Sequence, residues 1–124
     1  MDFKPEGYPS LSPYLIVTDA ERTLRFVEAA FGATRLRVIA RDDAPGLAHA
    51  EARIDDSVLM MGEAPQPVPA HVHLYVRDVM AAFARAKAAG GRVVQEPARS
   101  GDGDCRGGID DGNSTTWWLS QQDG

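Results

Sequence analysis

Two short stretches of the chain hold most of the side chains that could take part in chemistry. His71 and His73 are two positions apart in one stretch, and His49 and Glu51 are two apart in the other. Alternate residues of a β-strand lie on one face, about 6–7 Å apart, so each pair would present its polar groups side by side. Such groups can bind a metal ion, transfer a proton or hydrogen-bond a ligand. For each histidine we favour a hydrogen-bonded residue that lines a wet cavity.

The stretch that holds His71 and His73 is the second copy of an internal repeat. Residues 71–78 and 12–19 both alternate apolar and more polar side chains, and both end at an aspartate. Each aspartate can cap the first turn of a helix, and a glycine suited to a left-handed conformation follows each helix. The predicted helices are residues 20–31, ending at Gly32, and residues 79–89, ending at Gly90. The apolar side of each strand would lie on its helix, which turns the histidines to the opposite side.

Further strands are predicted after each helix, so each half is a strand, a helix and three more strands. The predicted strands are residues 10–17, 34–40, 48–54 and 58–61 in the first half, and the run from 71, residues 92–95, a short strand around Ile109 and residues 116–120 in the second. The remainder of the Gly- and Asp-rich residues 100–116 is predicted to form turns, with Asp102–Asp104 as a solvated turn.

Three prolines in residues 64–69 predict a stiff, extended connector between the two halves. It separates module one, about residues 8–63, from module two, about residues 70–120, within a single domain of residues 1–124. Residues 1–9 contain two prolines and a glycine and are predicted to form an extended arm.

The overall composition excludes several classes of protein. The net charge of −5 argues against binding to nucleic acid or to an acidic membrane surface. The single cysteine, Cys105, excludes an internal disulfide and fits a reducing cytoplasm. The sequence has no apolar stretch near the roughly 20 residues of a membrane span and no apolar signal region at its start. We therefore expect a cytoplasmic protein.

The doubled module, together with several local phrases, resembles the vicinal oxygen chelate superfamily. This superfamily includes glyoxalases, extradiol dioxygenases and the fosfomycin- and bleomycin-resistance proteins. The phrases are residues 13–20, 49–51, 56–60, 73–79 and 116–119, and they are most similar to the PhnB-like glyoxalase/bleomycin-resistance branch. The resemblance covers about residues 8–120. It implies an α+β fold in which two βαβββ modules form a curled sheet cup with the helices outside.

The resemblance also implies where a metal would bind in active members of the superfamily. One ligand starts the first strand of each module, seven positions before the helix aspartate, and another, usually glutamate, sits in the last strand. His71 and Ser12 occupy the first kind of position, and Trp118 and Met60 the second. A catalytic site needs about three protein ligands, and only His71 is a suitable one. We therefore expect no metal and no other cofactor.

These observations favour a metal-free small-molecule binding protein that holds a planar or aromatic ligand in the cup. Trp117 and Trp118 are neighbours on a strand and must point to opposite faces. We expect Trp117 under a helix and Trp118 in the cup. The predicted ligand-binding residues are Tyr14, Glu51, Arg53, Met60, His71, His73, Tyr75 and Trp118, with Ile16 beside them.

Two other functions stay open. One is a metal-dependent lyase, isomerase or dioxygenase with an irregular site that uses His71, with His49, Glu51 and His73 nearby; no catalytic residue can be assigned. The other is a dimeric protein whose cup is vestigial. The missing metal ligands favour the binding protein over the enzyme. A homodimer is expected in any case, because open sheet edges need cover and the proline-bearing arm can reach a partner.

Overall fold

The structure is a computed structural model, and it describes residues 2–122. Within these residues the chain forms eight strands and two helices. They are β1 (Tyr14–Val17), α1 (Ala20–Phe31), β2 (Thr34–Ala40), β3 (Leu47–Ile54), β4 (Ser57–Glu63), β5 (Ala70–Tyr75), α2 (Val79–Ala88), β6 (Arg92–Arg99), β7 (Cys105–Asp110) and β8 (Thr115–Gln121). The order of strand, helix and three strands occurs twice, which confirms the predicted α+β fold. No helix within residues 2–122 is long and apolar enough to span a membrane.

Each module forms a four-stranded sheet, and the two sheets have the same strand order. In module one the order is β1-β4-β3-β2, and in module two it is β5-β8-β7-β6. The first strand of each module is parallel to the last, and the other pairs are antiparallel. The registers place Met60 between Tyr14 and Glu51 in module one. They place Trp118 between His73 and Gly108 at the equivalent row of module two.

Both helices begin with the same pair of side-chain hydrogen bonds. The carboxylates of Asp19 and Asp78 each accept from the backbone N–H three positions further on, at 3.1 Å, which confirms the predicted caps. A side chain from the last strand of the module, Glu63 or Gln121, accepts from the N–H of the first helical residue, at 2.8 and 2.9 Å. The first helix ends at Gly32 in a left-handed conformation (φ 68°), as predicted.

The hydrophobic core lies between the helices and the inner faces of the two sheets, and both modules contribute to it. Trp117 of β8 is fully buried. Its ring contacts those of Phe26 and Phe31 of α1, with centroids 6.4 and 5.2 Å away. Arg85 of α2 donates to the carbonyl of Ala30 in α1 at 3.1 Å. The modules are therefore packed against each other through their helices.

The structure differs from the predicted elements in several places. β4 and β6 extend beyond the predicted residues 58–61 and 92–95, and α2 ends at Ala88 instead of residue 89. The first strand begins at Tyr14 instead of residue 10, because Pro13 has no N–H to donate to a ladder. The Gly-rich stretch that was predicted to be mostly turns contains the full strand β7. The two glycines of β7 serve close packing, since a Cβ on Gly108 would lie 2.5 Å from the ring of Trp118. A Cβ on Gly107 would lie 3.0 Å from Pro97.

Candidate functional site

Each sheet has an outer face that is turned away from the helices, and the predicted site residues lie on these two faces. Alternation along the strands puts Leu15, Val17 and Ala52 into the core. We call the opposite face of module one, with Tyr14, His49, Glu51, Arg53 and Met60, face one. We call the corresponding face of module two, with His71, His73, Tyr75 and Trp118, face two.

The centre of face one is a buried carboxylate, that of Glu51, which is only 2% exposed. The hydroxyl of Tyr8, in the arm before β1, donates to Glu51 Oε1 at 2.5 Å. The imidazole Nε2 of His49 lies 2.7 Å from Oε2, and the backbone N–H of Arg37 also donates to the carboxylate. Burial acts to raise the pKa of Glu51, but the hydrogen bonds from Tyr8 and His49 outweigh it and lower that pKa below its usual value. Face one therefore holds an ionised carboxylate with its donors in place.

Tyr14 extends this network to the exposed part of face one. Its hydroxyl lies 3.4 Å from Nδ1 of His49, and the two rings have centroids 5.8 Å apart. Gly62 makes room for it, because a Cβ there would lie 2.8 Å from the Tyr14 hydroxyl. Tyr14 is 52% exposed, and Met60, which is half-buried, lies beside it. Ligands could therefore reach an aromatic ring and its hydroxyl here.

The centre of face two is an aromatic surface instead of a carboxylate. Gly108 stands at the row position where module one has Glu51, and ring atoms of Trp118 fill the space that a Cβ there would take. The indole Nε1–H donates to Nδ1 of His71 at 3.0 Å. The two rings are stacked, with 17° between their planes and 6.2 Å between centroids. Since Trp117 is buried and Trp118 is not, the predicted orientation of the pair is confirmed.

A second polar network borders the indole on face two. His73 Nε2 lies 2.9 Å from the hydroxyl of Ser120, and the oxygen of that hydroxyl accepts from Nε of Arg106 at 2.7 Å. The Tyr75 hydroxyl donates to Asp104 Oδ2 at 2.9 Å, and this hydrogen bond raises the pKa of Tyr75. Asp104 is 8% exposed, so the prediction of a solvated turn at this aspartate was wrong. The carboxylate is held by the phenol and by the nearby guanidinium.

The structure brings the predicted site residues together in two groups. No hydrogen bond or ring contact described for residues 2–122 joins face one to face two. Two clefts of about 590 and 420 Å³ lie where the modules meet, and neither is lined by Glu51, Met60 or Trp118. His73 borders the smaller cleft and Tyr75 the larger. That the predicted residues line one shared cup therefore stays a prediction.

Sequence reasoning missed several residues that complete these networks. Tyr8 was assigned only to an extended arm, although its hydroxyl reaches a residue 43 positions away. Ser120, which contacts His73, and Arg106, which donates to Ser120, were not among the predicted site residues. The alternation of the last strand puts Ser120 on the same face as Trp118, so this residue could have been found. No spacing in the sequence indicates the contact that Tyr8 makes.

The donor set of the faces does not fit a divalent metal. Nowhere in the part of the chain that the structure describes do three or more His, Cys, Asp or Glu side chains cluster so that they could hold an ion. Of the four family ligand positions, Met60 offers a thioether, which hard divalent metals avoid. Trp118 offers only an N–H, and that N–H is directed at His71 Nδ1. The arrangement can hydrogen-bond and stack a ligand without metal chemistry.

Comparisons with known proteins agree with this fold. The family model described as the Glyoxalase/Bleomycin resistance protein/Dioxygenase superfamily matches residues 10–118. Mb0911c, an uncharacterized protein of Mycobacterium bovis, is 34% identical over an alignment that covers 91% of this chain and 83% of that protein.

Among solved structures, TioX from Micromonospora sp. ML1 has a TM-score of 0.76 at 20% identity, covering 92% of this chain and 98% of that one. The fosfomycin resistance protein FosX from Listeria monocytogenes has a TM-score of 0.75 at 17% identity, covering 90% and 91%. At these identities the structural likeness concerns the fold alone. The family model, however, covers most of the sequence, and the chain therefore belongs to the glyoxalase/bleomycin resistance protein/dioxygenase superfamily.

Proposed function

We propose that the protein binds a planar or aromatic small molecule without a metal, and that it belongs to the PhnB-like branch whose phrases its sequence resembles. The observation that carries the proposal is the position of Trp118. Its ring lies against the bare backbone of Gly108, where any larger residue would collide with it. Trp118 is half-buried, so part of the indole remains open to solvent. A flat ligand can stack there, and such aromatic pairs contribute about 0.5–1.5 kcal/mol beyond burial.

The polar groups around the indole would orient such a ligand. His71 and Tyr75 are exposed beside it, and His73 is held by Ser120. Binding sites of this kind combine apolar and aromatic walls with a few placed polar groups. On face one, Tyr14 and Glu51 supply the same combination of a ring and polar atoms.

The two faces also support a homodimer in which one chain completes the site of the other. In the described part of the chain β5 pairs with β8 alone, so its other edge is open. Tyr14 on face one and Tyr75 on face two are 52% and 60% exposed. A second chain that covers the edge of β5 would satisfy its backbone groups and could set face one against face two. Sedimentation at micromolar concentration should give a species of twice the chain mass, and a monomer alone would refute the dimer.

Ligand binding is tested by fluorescence of the two tryptophans. Planar bicyclic aromatic compounds should quench Trp118, which is partly exposed, and leave Trp117, which is fully buried, unaffected. Trp118→Ala should weaken binding at least about fivefold, since the lost stacking is about 1 kcal/mol. Quenching that survives Trp118→Ala and is lost in Trp117→Phe would contradict the proposal.

Elemental analysis of the purified protein separates this function from the metal-dependent alternative. We expect far less than one equivalent of zinc, nickel, manganese or iron per chain. About one equivalent, lost in His71→Ala, would favour the lyase, isomerase or dioxygenase instead. His73→Ala serves as the matched control, because it removes a neighbouring imidazole that does not stand at a family ligand position.

A further inference from the structure

The arm before β1 makes one contact that differs in kind from the rest of the chain. Tyr8 belongs to no strand or helix, yet its hydroxyl lies 2.5 Å from the carboxylate of Glu51. Glu51 points away from the helices, onto a face where Tyr14 is 52% exposed, but it is itself only 2% exposed. The hydroxyl of Tyr8 and the imidazole of His49 each lie on one oxygen of its carboxylate. A phenol therefore already sits on face one, and it belongs to the protein itself.

The chemistry of Glu51 defines what can sit in this place. Two of its partners, the His49 imidazole and the Arg37 backbone N–H, come from the sheet. The third, Tyr8, comes from the arm. The hydrogen bond to Glu51 raises the pKa of Tyr8, so its hydroxyl stays protonated and donates. A buried ionised carboxylate that loses a donor costs free energy, so any group that replaces Tyr8 must bring an O–H or N–H of its own.

The rest of the arm is attached weakly. Between the arm and the sheet there is a hydrogen bond from Arg53 Nη1 to the carbonyl of Gly7 at 3.0 Å. The large apolar residues of the arm, Phe3 and Leu11, are both 86% exposed and contribute little burial. Lys4 and Tyr8 make their other described hydrogen bonds within the arm. Release of the Tyr8 hydroxyl would thus free most of the segment.

We propose that Tyr8 is a built-in substitute for the ligand: a neutral phenol binds to Glu51 in its place, and the arm swings away. The proposal rests on the proposed function for the role of Tyr14 and Glu51 of face one in ligand binding. It adds the chemical class of the ligand, an aromatic ring with a hydroxyl, and it makes the arm a competitor that sets the apparent affinity. In the unliganded chain the hydroxyl that donates to Glu51 is that of Tyr8, and in the complex it is that of the ligand.

The test uses p-cresol, which is the side chain of tyrosine as a free molecule, in NMR titrations at pH 7. If the arm is docked for more than about nine-tenths of the time, its removal should tighten apparent binding at least about tenfold. Tyr8→Ala should therefore bind p-cresol at least tenfold more tightly than the unmodified protein. Phe3→Ala, on the same arm without a contact to Glu51, should bind as the unmodified protein does. Adding Glu51→Gln to Tyr8→Ala should abolish the gain.

The methyl ether of p-cresol, 4-methylanisole, has the same ring without the donor, and it should show no gain in Tyr8→Ala. Equal affinity of p-cresol for the unmodified protein and Tyr8→Ala, or an equal gain for the ether, would overturn the proposal. Tyr8→Phe removes only the hydroxyl and covers the case in which the alanine variant does not fold; it should also bind p-cresol more tightly, and no change there would overturn the proposal.

The Trp118→Ala variant keeps this test separate from the proposed function. Adding Tyr8→Ala to Trp118→Ala should still tighten p-cresol binding, because Tyr8 and Trp118 lie on different faces. If bicyclic aromatic compounds bind through Trp118 while Tyr8→Ala gains nothing for p-cresol, the proposed function stands and this inference fails. The reverse result would retain the phenol site and remove the stacking site.

Discussion

The two modules have the same backbone arrangement and the same helix caps, and they differ most at one row of each sheet. Module one has Met60 and Glu51 in this row, and module two has Trp118 and Gly108. The Glu51 carboxylate is the centre of a hydrogen-bonded network, and Tyr8 of the arm completes that network. Gly108 in module two has no side chain, so the indole of Trp118 can lie against its backbone. Two exchanges at this row, Glu51 for Gly108 and Met60 for Trp118, therefore distinguish a polar site from an aromatic one on the same scaffold.

The modules also differ in how they treat a buried carboxylate. Asp111, in the hairpin between β7 and β8, is 3% exposed, and burial raises its pKa in spite of the hydrogen bonds from Trp117, Asn113 and Thr115. Glu51 has a similarly small exposed fraction, yet its pKa is lowered. Its carboxyl is enclosed less deeply by protein atoms than that of Asp111. The hydrogen bonds from Tyr8 and His49 therefore outweigh the effect of burial at Glu51, whereas burial outweighs the hydrogen bonds at Asp111.

The largest effect should come from the tryptophan pair of β8. Trp117→Ala would leave a cavity next to Phe26 and Phe31 and should cost about 3–5 kcal/mol of unfolding free energy. Trp118→Ala removes a half-buried ring and should cost clearly less. Urea melts of both variants measure the comparison. Equal losses would show that the outer ring also belongs to the core, which would weaken face two as a ligand surface.

The next effect concerns the hairpin that ties module two to the first helix. Asn113 is 5% exposed, and its amide donates to the carbonyl of Asp19 at 2.7 Å and to the hydroxyl of Thr23 at 2.8 Å. Asn113→Ala leaves these buried acceptors without their donor and should cost about 1–3 kcal/mol. The equivalent turn of module one is exposed at Asp56, so Asp56→Ala should change stability by less than about 0.5 kcal/mol. Similar losses of unfolding free energy in Asn113→Ala and Asp56→Ala would mean that the two hairpins contribute equally to stability, which would contradict this prediction.

The internal repeat explains how much of the fold and of the candidate site could be predicted from the sequence. The caps at Asp19 and Asp78, the helices and the burial of Trp117 follow from local rules, namely capping and strand alternation. The hydrogen bond between Tyr8 and Glu51 joins residues 43 positions apart, and no local rule indicates it. The strand β7 was mistaken for turns because Gly107 and Gly108 serve close packing against a proline and an indole. These contacts exist only once the sheet has formed.

The opposite pKa shifts predict opposite dependences of stability on pH. The lowered pKa of Glu51 means that its carboxylate stabilises the fold above its unfolded value of 4.5, and this stabilisation is lost as the pH falls through the folded pKa. The raised pKa of Asp111 means that the fold prefers the protonated acid. Its contribution is therefore full below 3.8 and is lost as the pH rises through the folded pKa.

Urea melts between pH 3 and pH 7 of the unmodified protein, Glu51→Gln and Asp111→Asn measure the two dependences. The stability difference from the unmodified protein should shrink with falling pH for Glu51→Gln and grow for Asp111→Asn, with slopes of at most about 1.4 kcal/mol per pH unit for one proton. Slopes of the same sign would mean that the two carboxylates are not held differently.

The smallest effect should come from the side chain of each module's last strand that accepts a hydrogen bond from the first N–H of the helix. Glu63 uses both carboxylate oxygens, since it accepts from the N–H of Ala20 and of Leu47. Among the described residues, the side chain of Gln121 accepts only from the N–H of Val79. The first turn of α2 has no acidic residue, whereas that of α1 has Glu21. A negative charge near a helix N-terminus contributes about 0.3–1 kcal/mol. Gln121→Glu should therefore stabilise the protein by a few tenths of a kcal/mol.

The mirror change, Glu63→Gln, should destabilise by more than that, because one of its two donors would then face an amide N–H₂. Urea melts of both variants at low and high salt give the comparison. The gain of Gln121→Glu should decline with salt, since exposed charge interactions are screened, and the loss in Glu63→Gln should persist, since it comes from an unpaired N–H. A Gln121→Glu variant that is less stable at low salt would mean that Asp78, already at this helix start, repels the new carboxylate more than the helix attracts it.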